Sequence, residues 1–365
     1  MSVRRPWSEV DQFLPSLTYG DAVGNHVLRL KQALATKVET SIFFESAEPR
    51  MNDEGYYYWE YGERQSHPDS ALLYHLSIGS PIAEYILTRD EPLFIDYHDF
   101  TPSEYFAPYD PVSAELVEEG HWQLKGLAER TSLAWAHSEF ARQDLEKAGY
   151  ENTRVLPVFV DFSRFNRPPD ARTLKKLRET KTGGPDILFV GRVAPNKCQQ
   201  DLIKLVRTYS ELYERPARLH CVGVVGSTHD RYTAVLRELA RDLGVAEQVE
   251  LTGSVSMSQL RAYYAACDVF VSMSDHEGFG VPLLEAMHMG LPVLAYGAAA
   301  VPETVGTGGI VLERKDFVDF AVAVERIFTD ECVRQGLVDA GRARLEDFDP
   351  ERVADQYLEQ LLSTL

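Results

Sequence analysis

The stretch Ser272-Met-Ser-Asp-His-Glu-Gly-Phe-Gly-Val-Pro-Leu-Leu-Glu-Ala-Met-His-Met-Gly290 decides how the second half of this chain folds. An apolar run at residues 269–273 leads into it and predicts a short buried strand. The glycine-rich turn that follows reaches Pro282, which suits the first turn of a helix, and Gly290 suits a helix end. The sequence therefore predicts a strand, a tight turn and a helix in immediate succession.

A turn of this kind leaves backbone N–H groups at the start of the helix, where a phosphate binds favourably. The turn itself consists of Gly278, Phe279 and Gly280, and two acidic residues, Glu277 and Glu285, flank it. Acidic side chains would repel a phosphate, but they can accept hydrogen bonds from sugar hydroxyls on either side of a diphosphate. A plain capped helix start explains this stretch equally well when it is taken alone.

A second segment has the same design. The apolar run at 187–190 ends in Gly191, and Arg192 and Lys197 follow in the next loop. Ligands of open α/β sheets bind at the carboxyl ends of the strands, and two cations there would neutralise a diphosphate. Two solvated loop cations are the alternative, but both segments together in one domain favour a diphosphate site.

Short apolar runs alternate with amphipathic runs along most of the chain. Strands are predicted at residues 93–97, 133–136, 155–160, 187–190, 219–225, 249–251, 269–273 and 292–295. Helices are predicted at residues 25–36, 201–213, 231–243 and 258–266. This alternation is typical of an α/β fold with parallel sheets.

The length of 365 residues suggests two domains. A polar stretch between residues 161 and 186, basic at 172–181, marks the junction, so we predict domains at 1–165 and 166–348. The basic run could meet an anionic acceptor or a membrane, but a solvated helix face is the favoured interpretation. Asp349 and Pro350 open a final helix at 349–365, which we expect to pack back on the first domain.

Composition excludes several classes of protein. The net charge of −19 opposes nucleic acid and anionic membranes as general partners. The four cysteines form no C-x-x-C pair, which argues against a zinc or redox motif and suits a reducing compartment. The first 15 residues are too polar for a signal peptide, and no run of 18 apolar residues occurs. We therefore expect a cytoplasmic protein without a membrane span, for which peripheral membrane contact stays open.

The two segments also resemble a known family. Glu277 and Glu285, separated by seven residues, resemble the acidic signature of retaining glycosyltransferases of family 4, which have the GT-B fold. Gly191-Arg192 with Lys197 resembles that family's diphosphate-binding loop. The resemblance covers about residues 187–311, and its supporting segments are Leu251-Thr-Gly253-x-Val255, Gly290-x-Pro292-Val293 and Pro302-Glu303-Thr304-Val305. One departure is Ala299-Ala300, where the family often has two glycines.

The first half resembles the family at fewer positions. Gly20 and Gly24 fall in a segment similar to the glycine-containing loop that approaches the donor phosphate, although a helix start capped by Asp21 or Asn25 explains them as well. His98 follows a predicted strand and resembles the family's histidine that contacts the transferred sugar.

Two further features of the first half stay open. His75 is a second candidate histidine where a strand gives way to a loop. Aromatic residues at 56–61 and 105–109 suit sugar stacking in an acceptor site, but packing under loops is the commoner role of such residues.

The resemblance implies a GT-B protein whose two Rossmann-like domains face each other across a cleft that holds a nucleotide-sugar. Glu285 would hold the ribose, Arg192 and Lys197 the diphosphate, and Glu277 and His98 the sugar. The reaction would be a retaining hexosyl transfer, as in polysaccharide biosynthesis, with GDP-mannose or UDP-glucose as typical donors and a glycan, glycolipid or small-molecule hydroxyl as acceptor.

We expect no cofactor and no metal. Manganese-dependent glycosyltransferases of another fold use an Asp-x-Asp motif, and Asp347-Phe-Asp349 is better explained as a helix cap. Alternatives are a sugar phosphorylase of the same fold, a non-catalytic nucleotide-sugar-binding protein and, with the least support, a nucleotide-sugar epimerase.

Overall fold

The computed structural model describes residues 7–63, 69–225 and 230–363, which form two compact units. The first unit comprises the chain up to Ala107, then Pro111–Asp161, and the chain from Phe348 onward. The second comprises Pro108–Asp110 and Phe162–Asp347. Each is built on one parallel sheet, so the predicted α/β fold is confirmed.

Seven strands form the sheet of the first unit, in the order β3-β2-β1-β4-β5-β6-β7. They are β1 (Glu9–Leu17), β2 (Ile42–Ala47), β3 (Tyr56–Tyr57), β4 (Ser70–Leu76), β5 (Leu93–Tyr97), β6 (Thr131–Ala136) and β7 (Thr153–Val155). The helices that connect them are α1 (Ala22–Leu34), α2 (Pro81–Leu87), α3 (Ser103–Phe106), α4 (Pro111–Leu127) and α5 (Glu139–Lys147). Apolar side chains are buried on both faces of this sheet, as parallel sheets require.

The second unit has a sheet of six strands in the order β10-β9-β8-β11-β12-β13. These are β8 (Asp186–Val190), β9 (Arg218–Val222), β10 (Val249–Gly253), β11 (Val269–Ser272), β12 (Val293–Tyr296) and β13 (Ile310–Leu312). The helices are α6 (Ala171–Glu179), α7 (Gln199–Tyr213), α8 (Asp230–Asp242), α9 (Met257–Ala266), α10 (Val281–His288), α11 (Val301–Val305), α12 (Phe317–Thr329) and α13 (Glu331–Leu345).

The last helix, α14 (Pro350–Ser363), belongs to the first unit. Asp349 caps it by accepting a hydrogen bond from the backbone N–H of Arg352 at 2.9 Å, which explains the Asp-x-Asp motif as a helix start. Val353 and Tyr357 pack into the same buried cluster as α1, and the indole of Trp7 donates to the carbonyl oxygen of Leu361 at 3.2 Å. In the described part of the chain, no helix is long and apolar enough to cross a membrane.

Two parts of the strand prediction were wrong. The strand predicted at 155–160 ends at Val155, and the residues after it have no strand pairing. The structure also has four strands before residue 93, of which the sequence indicated only the one that contains His75. In β1 the reason is clear, because its polar residues Asp11 and Gln12 are buried, which makes the strand look like a surface segment in the sequence.

Candidate active site

The two segments singled out in the sequence lie side by side at one edge of the second unit's sheet. Strands β8 and β11 are hydrogen-bonded neighbours in the middle of the sheet. The chain runs from β8 outward to β9 and β10, and then crosses back to β11 on the other side of β8. A reversal of this kind opens a crevice at the carboxyl ends of the two strands, and open α/β sheets bind ligands there.

The loop after β8 brings a cation to this edge. Gly191 lies so close to Gly223, the residue after β9, that a Cβ on Gly223 would stand 2.0 Å from the Gly191 carbonyl oxygen. The side-chain amide of Gln199 donates to the carbonyl oxygen of Arg192 at 3.0 Å and so holds the loop. Arg192 itself is exposed and has no ion pair with any residue that the structure describes, so its guanidinium group is available to an anionic ligand.

The loop after β11 is tied to the loop after β8 by three hydrogen bonds. The backbone N–H of Asp275 donates to the carbonyl oxygen of Asn196 at 2.9 Å, and the Asn196 side chain donates to the carbonyl oxygen of His276 at 3.1 Å. Lys197 Nζ donates to Glu277 Oε2 at 2.6 Å. The structure thus brings two of the predicted site residues, Lys197 and Glu277, into direct contact.

Glu277 is held at both carboxylate oxygens. Ser274 Oγ donates to Oε1 at 2.8 Å, and Lys197 occupies one position on Oε2. The side chains of Glu277 and Lys197 are 13% and 21% exposed, so both reach the surface. Because a carboxylate has about four acceptor positions, Glu277 can accept further hydrogen bonds from hydroxyl groups without losing either partner.

The start of α10 has the geometry expected of an anion-binding turn. Gly280 occupies the N-cap position with φ of 89°, and no side chain caps the helix there. A φ of this sign favours glycine, whereas the space is less strict, because a Cβ at Gly280 would meet only the movable Cδ1 end of Leu283, at 2.7 Å. Phe279 precedes Gly280, and its carbonyl oxygen accepts a hydrogen bond from Thr304 Oγ1. This bond fixes the turn that Gly278, Phe279 and Gly280 form.

Glu285 lies in the second turn of α10. Its side chain is only 5% exposed and forms an ion pair with Arg164. The hydroxyl of Tyr264 donates to the other carboxylate oxygen at 2.9 Å. Arg164 and Tyr264 were not predicted from the sequence as partners of Glu285. The signal that could have pointed to such partners is an acidic residue in an otherwise apolar helix, because a buried carboxylate needs them.

The loop at Ala299 and Ala300 packs against Glu277. Ala299 adopts the left-handed conformation with φ of 51°, which glycine takes at little cost and alanine does not. The backbone N–H of Ala300 donates to the carbonyl oxygen of Glu277 at 3.1 Å. The alanine pair noted in the sequence therefore keeps a glycine-like backbone beside one of the site residues.

Lys315, which was not predicted from the sequence, stabilises the same loops through two ion pairs. Lys315 Nζ forms ion pairs with Asp275 at 2.6 Å and with Asp201 at 2.9 Å. The thiol of Cys198 donates to the other oxygen of Asp275 at 3.1 Å. Burial raises the pKa of Cys198 to about 11, and its contact with Asp275 acts in the same direction while Lys315 opposes both, so the thiol stays protonated.

The predicted residues of the first unit lie at the carboxyl edge of its own sheet. Gly20 has φ of 78°, and a Cβ on Gly24 would stand 2.6 Å from the Thr18 carbonyl oxygen. Asp21 caps α1 by accepting from the backbone N–H groups of Val23 and Gly24 at 3.2 and 3.4 Å. The helix-start interpretation thus accounts for Asp21, and close packing accounts for Gly24.

His98 lies in a buried group that we call the histidine–aspartate cluster, which consists of His26, His75, Asp96, His98 and His137. Its Nε2 is 3.1 Å from His75 Nδ1, and its Nδ1 is 3.1 Å from His137 Nε2. The His98 side chain is 4% exposed. Asp96 and His137 were not predicted as site residues from the sequence, although an acidic residue inside the apolar run at 93–97 must find partners when that strand is buried.

Comparison with known proteins finds a family that resembles the second unit. Residues 170–344 match the model of the family described as glycosyl transferases group 1. Over 239 residues the chain is 30% identical to a D-inositol 3-phosphate glycosyltransferase of Geodermatophilus obscurus, covering 63% of this chain and 52% of that protein. Over 232 residues it is 32% identical to a GDP-mannose-dependent α-(1-6)-phosphatidylinositol monomannoside mannosyltransferase of Mycobacterium tuberculosis, covering 60% and 58%. The match thus spans little more than half the length of these curated relatives.

Solved structures share the whole fold. The Anabaena protein HepE, in complex with UDP and glucose, matches 97% of this chain and 99% of its own with a TM-score of 0.72 at 17% identity. Sucrose-phosphate synthase from Thermosynechococcus elongatus matches 98% and 100% with a TM-score of 0.77 at 18% identity. These likenesses confirm the predicted fold, GT-B with two Rossmann-like units. Residues 170–344 of the second unit thus resemble the glycosyl transferases group 1 family.

Proposed function

We propose that this protein is a retaining glycosyltransferase that moves a hexosyl group from a nucleoside-diphosphate sugar to a hydroxyl group of a glycan, glycolipid or small molecule, forming an α-glycosidic bond. The observation that carries the proposal is that the loops after the neighbouring strands β8 and β11 hold Arg192, the contacting pair Lys197 and Glu277, and the uncapped start of α10 at the switch point of one parallel sheet.

The charges of this edge suit a leaving diphosphate. The exposed Arg192 can bind phosphate oxygens in a bidentate way, and the start of α10 adds about half a positive charge. Lys197 has three N–H donors, so it can keep Glu277 and still donate to a phosphate oxygen. These groups stabilise the negative charge that grows on the diphosphate as the glycosidic bond breaks, and we propose that no metal ion is needed for this.

Glu277 is arranged to hold a hydroxyl group. Its two oxygens already accept from Ser274 and Lys197, which fixes the carboxylate and makes it a weak nucleophile. We therefore assign it to hydroxyl groups of the donor sugar. Glu285, spaced eight positions later in the chain, is assigned to the ribose, and each of its oxygens keeps an acceptor position beside Arg164 and Tyr264. Retention is proposed from the family signature that these two glutamates form.

The donor is proposed to be GDP-mannose or UDP-glucose. One relative is named for dependence on GDP-mannose, and one solved structure of the same fold is named with UDP and glucose. We also propose that this chain acts in polysaccharide or glycolipid biosynthesis and is located in the cytoplasm. We further propose that it contacts the donor through Gly191, Gly278, Phe279 and Gly280.

Thermal unfolding with UDP, GDP, ADP and dTDP, each with and without EDTA, tests the donor site. A ligand at about 100 times its Kd adds roughly 2.7 kcal/mol to the free energy of unfolding, or about 5–10 °C in a domain of this size class. We expect one or two of these nucleotides to shift the transition, with no effect of EDTA. No shift with any nucleotide refutes the proposed donor site, and a shift that EDTA abolishes refutes metal independence.

A matched pair of variants locates the site. Arg192→Ala removes charged hydrogen bonds to the diphosphate, each worth about 1.5–3 kcal/mol, so we expect nucleotide affinity to fall about 10- to 150-fold. Arg237→Ala removes an exposed arginine from α8 and should leave affinity unchanged. Equal affinities of the two variants would contradict the assignment of Arg192.

Turnover separates the remaining functions. With the matching donor, the chain should release nucleoside diphosphate in step with an α-linked product, whose anomeric configuration is read by NMR from the one-bond carbon–proton coupling at the anomeric carbon. Cleavage of a glycosidic bond that depends on inorganic phosphate and releases a sugar phosphate would instead show a phosphorylase. Nucleotide binding without turnover over a panel of mannosyl, glucosyl and inositol acceptors would favour a non-catalytic binding protein.

A further inference from the structure

Exposed aromatic rings are concentrated on the edge strand β3 and directly after it. Tyr56 and Tyr57 are exposed, and Trp59 is 55% exposed. The sequence analysis left two roles open for this aromatic run, sugar stacking and packing under loops. The structure divides the run between these roles, because Tyr58 and Tyr61 pack into the core of the first unit while the other three rings stay open to solvent.

The exposed rings are held in place by the protein itself. Tyr57 pairs with Phe44 of β2, the two rings pack edge-to-face, and the backbone N–H of Tyr57 donates to Glu60 Oε2 at 2.7 Å. The indole of Trp59 lies parallel to the Tyr57 ring, with 4.6 Å between the centroids and 10° between the planes. Tyr58 packs edge-to-face with Trp59 and against the core. We call Tyr57 and Trp59 the aromatic platform, and an ordered platform loses little conformational entropy when a ligand stacks on it.

A polar cleft lies beside the platform, at Tyr56. Its volume of about 480 Å³ falls within the usual range of small-molecule sites. Hydroxyl, amide, carboxylate and ammonium groups line it, among them those of Ser41, Asn52, Asp53 and Lys31. Lys31 Nζ donates to the carbonyl oxygen of Glu54 at 2.8 Å, which ties helix α1 to this wall of the cleft.

Two polar side chains of the cleft are available to a ligand. Asn52 and Asp53 are exposed, and no side chain that the structure describes forms a hydrogen bond with either of theirs. The amide of Asn52 can donate and accept, and the carboxylate of Asp53 can accept from hydroxyl groups. Free polar groups beside flat aromatic rings suit a sugar, because the C–H groups of a sugar ring pack on aromatic faces while its hydroxyl groups need hydrogen-bond partners.

The charge of this surface opposes anionic ligands. Asp53 and Glu54 line the cleft, Glu60 holds the platform, and the whole chain has a net charge of −19. Lys31 is the only cation in the lining of the described cleft, and a backbone oxygen already accepts from it. Nucleotides, anionic lipid headgroups and sulfated sugars would therefore be repelled. Neutral hydroxyl groups, in contrast, donate readily to carboxylates.

The cleft and the platform lie away from the carboxyl edge of their sheet. Residues 40–42 of the cleft are at the amino end of β2, and the six residues of this strand span roughly 17 Å to its carboxyl end. After β3, the hydroxyl of Tyr61 donates to Glu91 Oε1 at 3.4 Å, just before the start of β5. The residues that the sequence analysis assigned to the donor, such as Gly20 and His98, follow the carboxyl ends of β1 and β5. The cleft is therefore separate from the edge to which the transfer is assigned.

We propose that the cleft and the aromatic platform form an auxiliary carbohydrate site, which binds a neutral oligosaccharide segment of the acceptor away from the reacting hydroxyl group. Sugar rings stack on Trp59 and Tyr57, and Asn52 and Asp53 form hydrogen bonds with their hydroxyl groups. The site keeps a long acceptor on the protein between transfers. The choice of a glycan rests on the proposed transferase function, whereas binding at this site is measurable without turnover.

Binding to the full chain tests the site directly. The probes are the neutral oligosaccharides mannohexaose and maltohexaose, followed by saturation-transfer NMR and calorimetric titration. We expect at least one of them to bind, and Trp59→Ala to weaken its binding by about 2- to 13-fold, the effect of losing one aromatic contact. The matched control is Trp122→Ala, which removes an indole that is 70% exposed on α4 and should leave binding unchanged.

A second substitution separates stacking from a loss of fold. Trp59→Phe keeps a flat ring and should bind almost as well as the wild type, and far-UV circular dichroism checks that each variant is folded. In turnover assays, Trp59→Ala should raise the KM for a hexasaccharide acceptor and leave the KM for a monosaccharide acceptor and kcat unchanged. A fall in kcat with both acceptors would place Trp59 at the reacting hydroxyl group and overturn the auxiliary role.

The remaining outcomes are equally definite. No binding of either oligosaccharide to the folded wild-type chain overturns the proposal, and so does equal binding by Trp59→Ala and Trp122→Ala. Tetramethylammonium is the probe for a cation on the same rings, and its binding in place of the oligosaccharides overturns the carbohydrate assignment. A chain that binds no nucleoside diphosphate overturns the proposed function, whereas oligosaccharide binding that depends on Trp59 would still establish this site.

Discussion

Replacing Arg164 by alanine is the most direct test of how the second unit holds Glu285. The substitution leaves a carboxylate that is 5% exposed with only the hydroxyl of Tyr264 as a described hydrogen-bond partner. Removing one member of a buried ion pair typically costs about 3–5 kcal/mol, because the other charge stays buried without its partner. Arg164 is 24% exposed, so water can fill part of its place, and we expect the lower end, about 3 kcal/mol.

A loss of this size is readily measured. In domains of 150–250 residues, about 3 kcal/mol lowers Tm by roughly 6–12 °C. Far-UV circular dichroism follows both units, whereas tryptophan fluorescence reports the first unit alone. The control is Arg326→Ala, which removes an arginine that is 66% exposed from its pair with Asp330 and should cost less than about 0.5 kcal/mol.

The double variant Arg164→Ala with Glu285→Gln tests the reason for the loss. Glutamine has no charge to leave unpaired, so the double variant should be more stable than Arg164→Ala by about 1–2 kcal/mol, within the usual range of couplings between contacting residues. Nucleotide affinity should fall in Arg164→Ala, because the arginine orients the carboxylate that we assign to the ribose. A Tm of Arg164→Ala within about 2 °C of the wild type, taken as roughly 1 kcal/mol or less, would refute the ion-pair reasoning.

Three further predictions concern other parts of the chain. Lys315→Met removes the cation that two aspartates share beside the site loops, so it should lower the free energy of unfolding by about 1–3 kcal/mol and weaken nucleotide binding in calorimetric titration. The control is Lys204→Met, which removes a more exposed lysine that also pairs with Asp201 and should change neither quantity. Equal effects of the two substitutions would contradict the role of Lys315. Ala299→Gly relieves a left-handed alanine and should raise Tm by about 1–3 °C, whereas Ala298→Gly should lower it, and a lower Tm for the first variant would show that the angle is not strained. Acidification should destabilise the first unit, because His26, His98 and His137 have a lowered pKa in the folded chain and take up protons when it unfolds. Their contribution to the free energy of unfolding is complete above a pH of about 6.5. Below that pH it is lost by up to about 1.4 kcal/mol per pH unit for each histidine. Tryptophan-monitored urea unfolding at pH 7.5 and 5.5 checks this, and equal stability at both values would contradict it.

The sequence could predict the second unit's site because its parts are local. A strand, a glycine turn and a helix start are each written in a few consecutive residues, as at Gly278 and Gly280, and the carboxyl ends of parallel strands always meet at one edge. The sequence alone therefore sufficed to place Arg192, Lys197 and Glu277 at that edge. It could not supply their side-chain contacts, since only the pairing of β8 with β11 brings Lys197 to within 2.6 Å of Glu277.

Ion-pair partners that lie far apart in the chain could not be predicted from the sequence. Arg164 lies 121 positions before Glu285, and no periodic pattern of the chain connects them. The same is true of His26 and Asp96, which belong to a helix and a strand and lie 70 positions apart in the chain. Crossover connections of parallel sheets have variable length, so spacing in the sequence carries no information about which strands become neighbours.

The sequence by itself therefore determined the class of fold, the loops that carry the charged site residues and the family signature. The tertiary structure alone decided which of those charges are already paired, and it assembled the histidine–aspartate cluster from four separate parts of the first unit. The physical reason is that backbone preferences act over a few residues, whereas the partner of a buried charge is set by packing, because a polar atom removed from water must be satisfied by whatever the folded chain brings beside it.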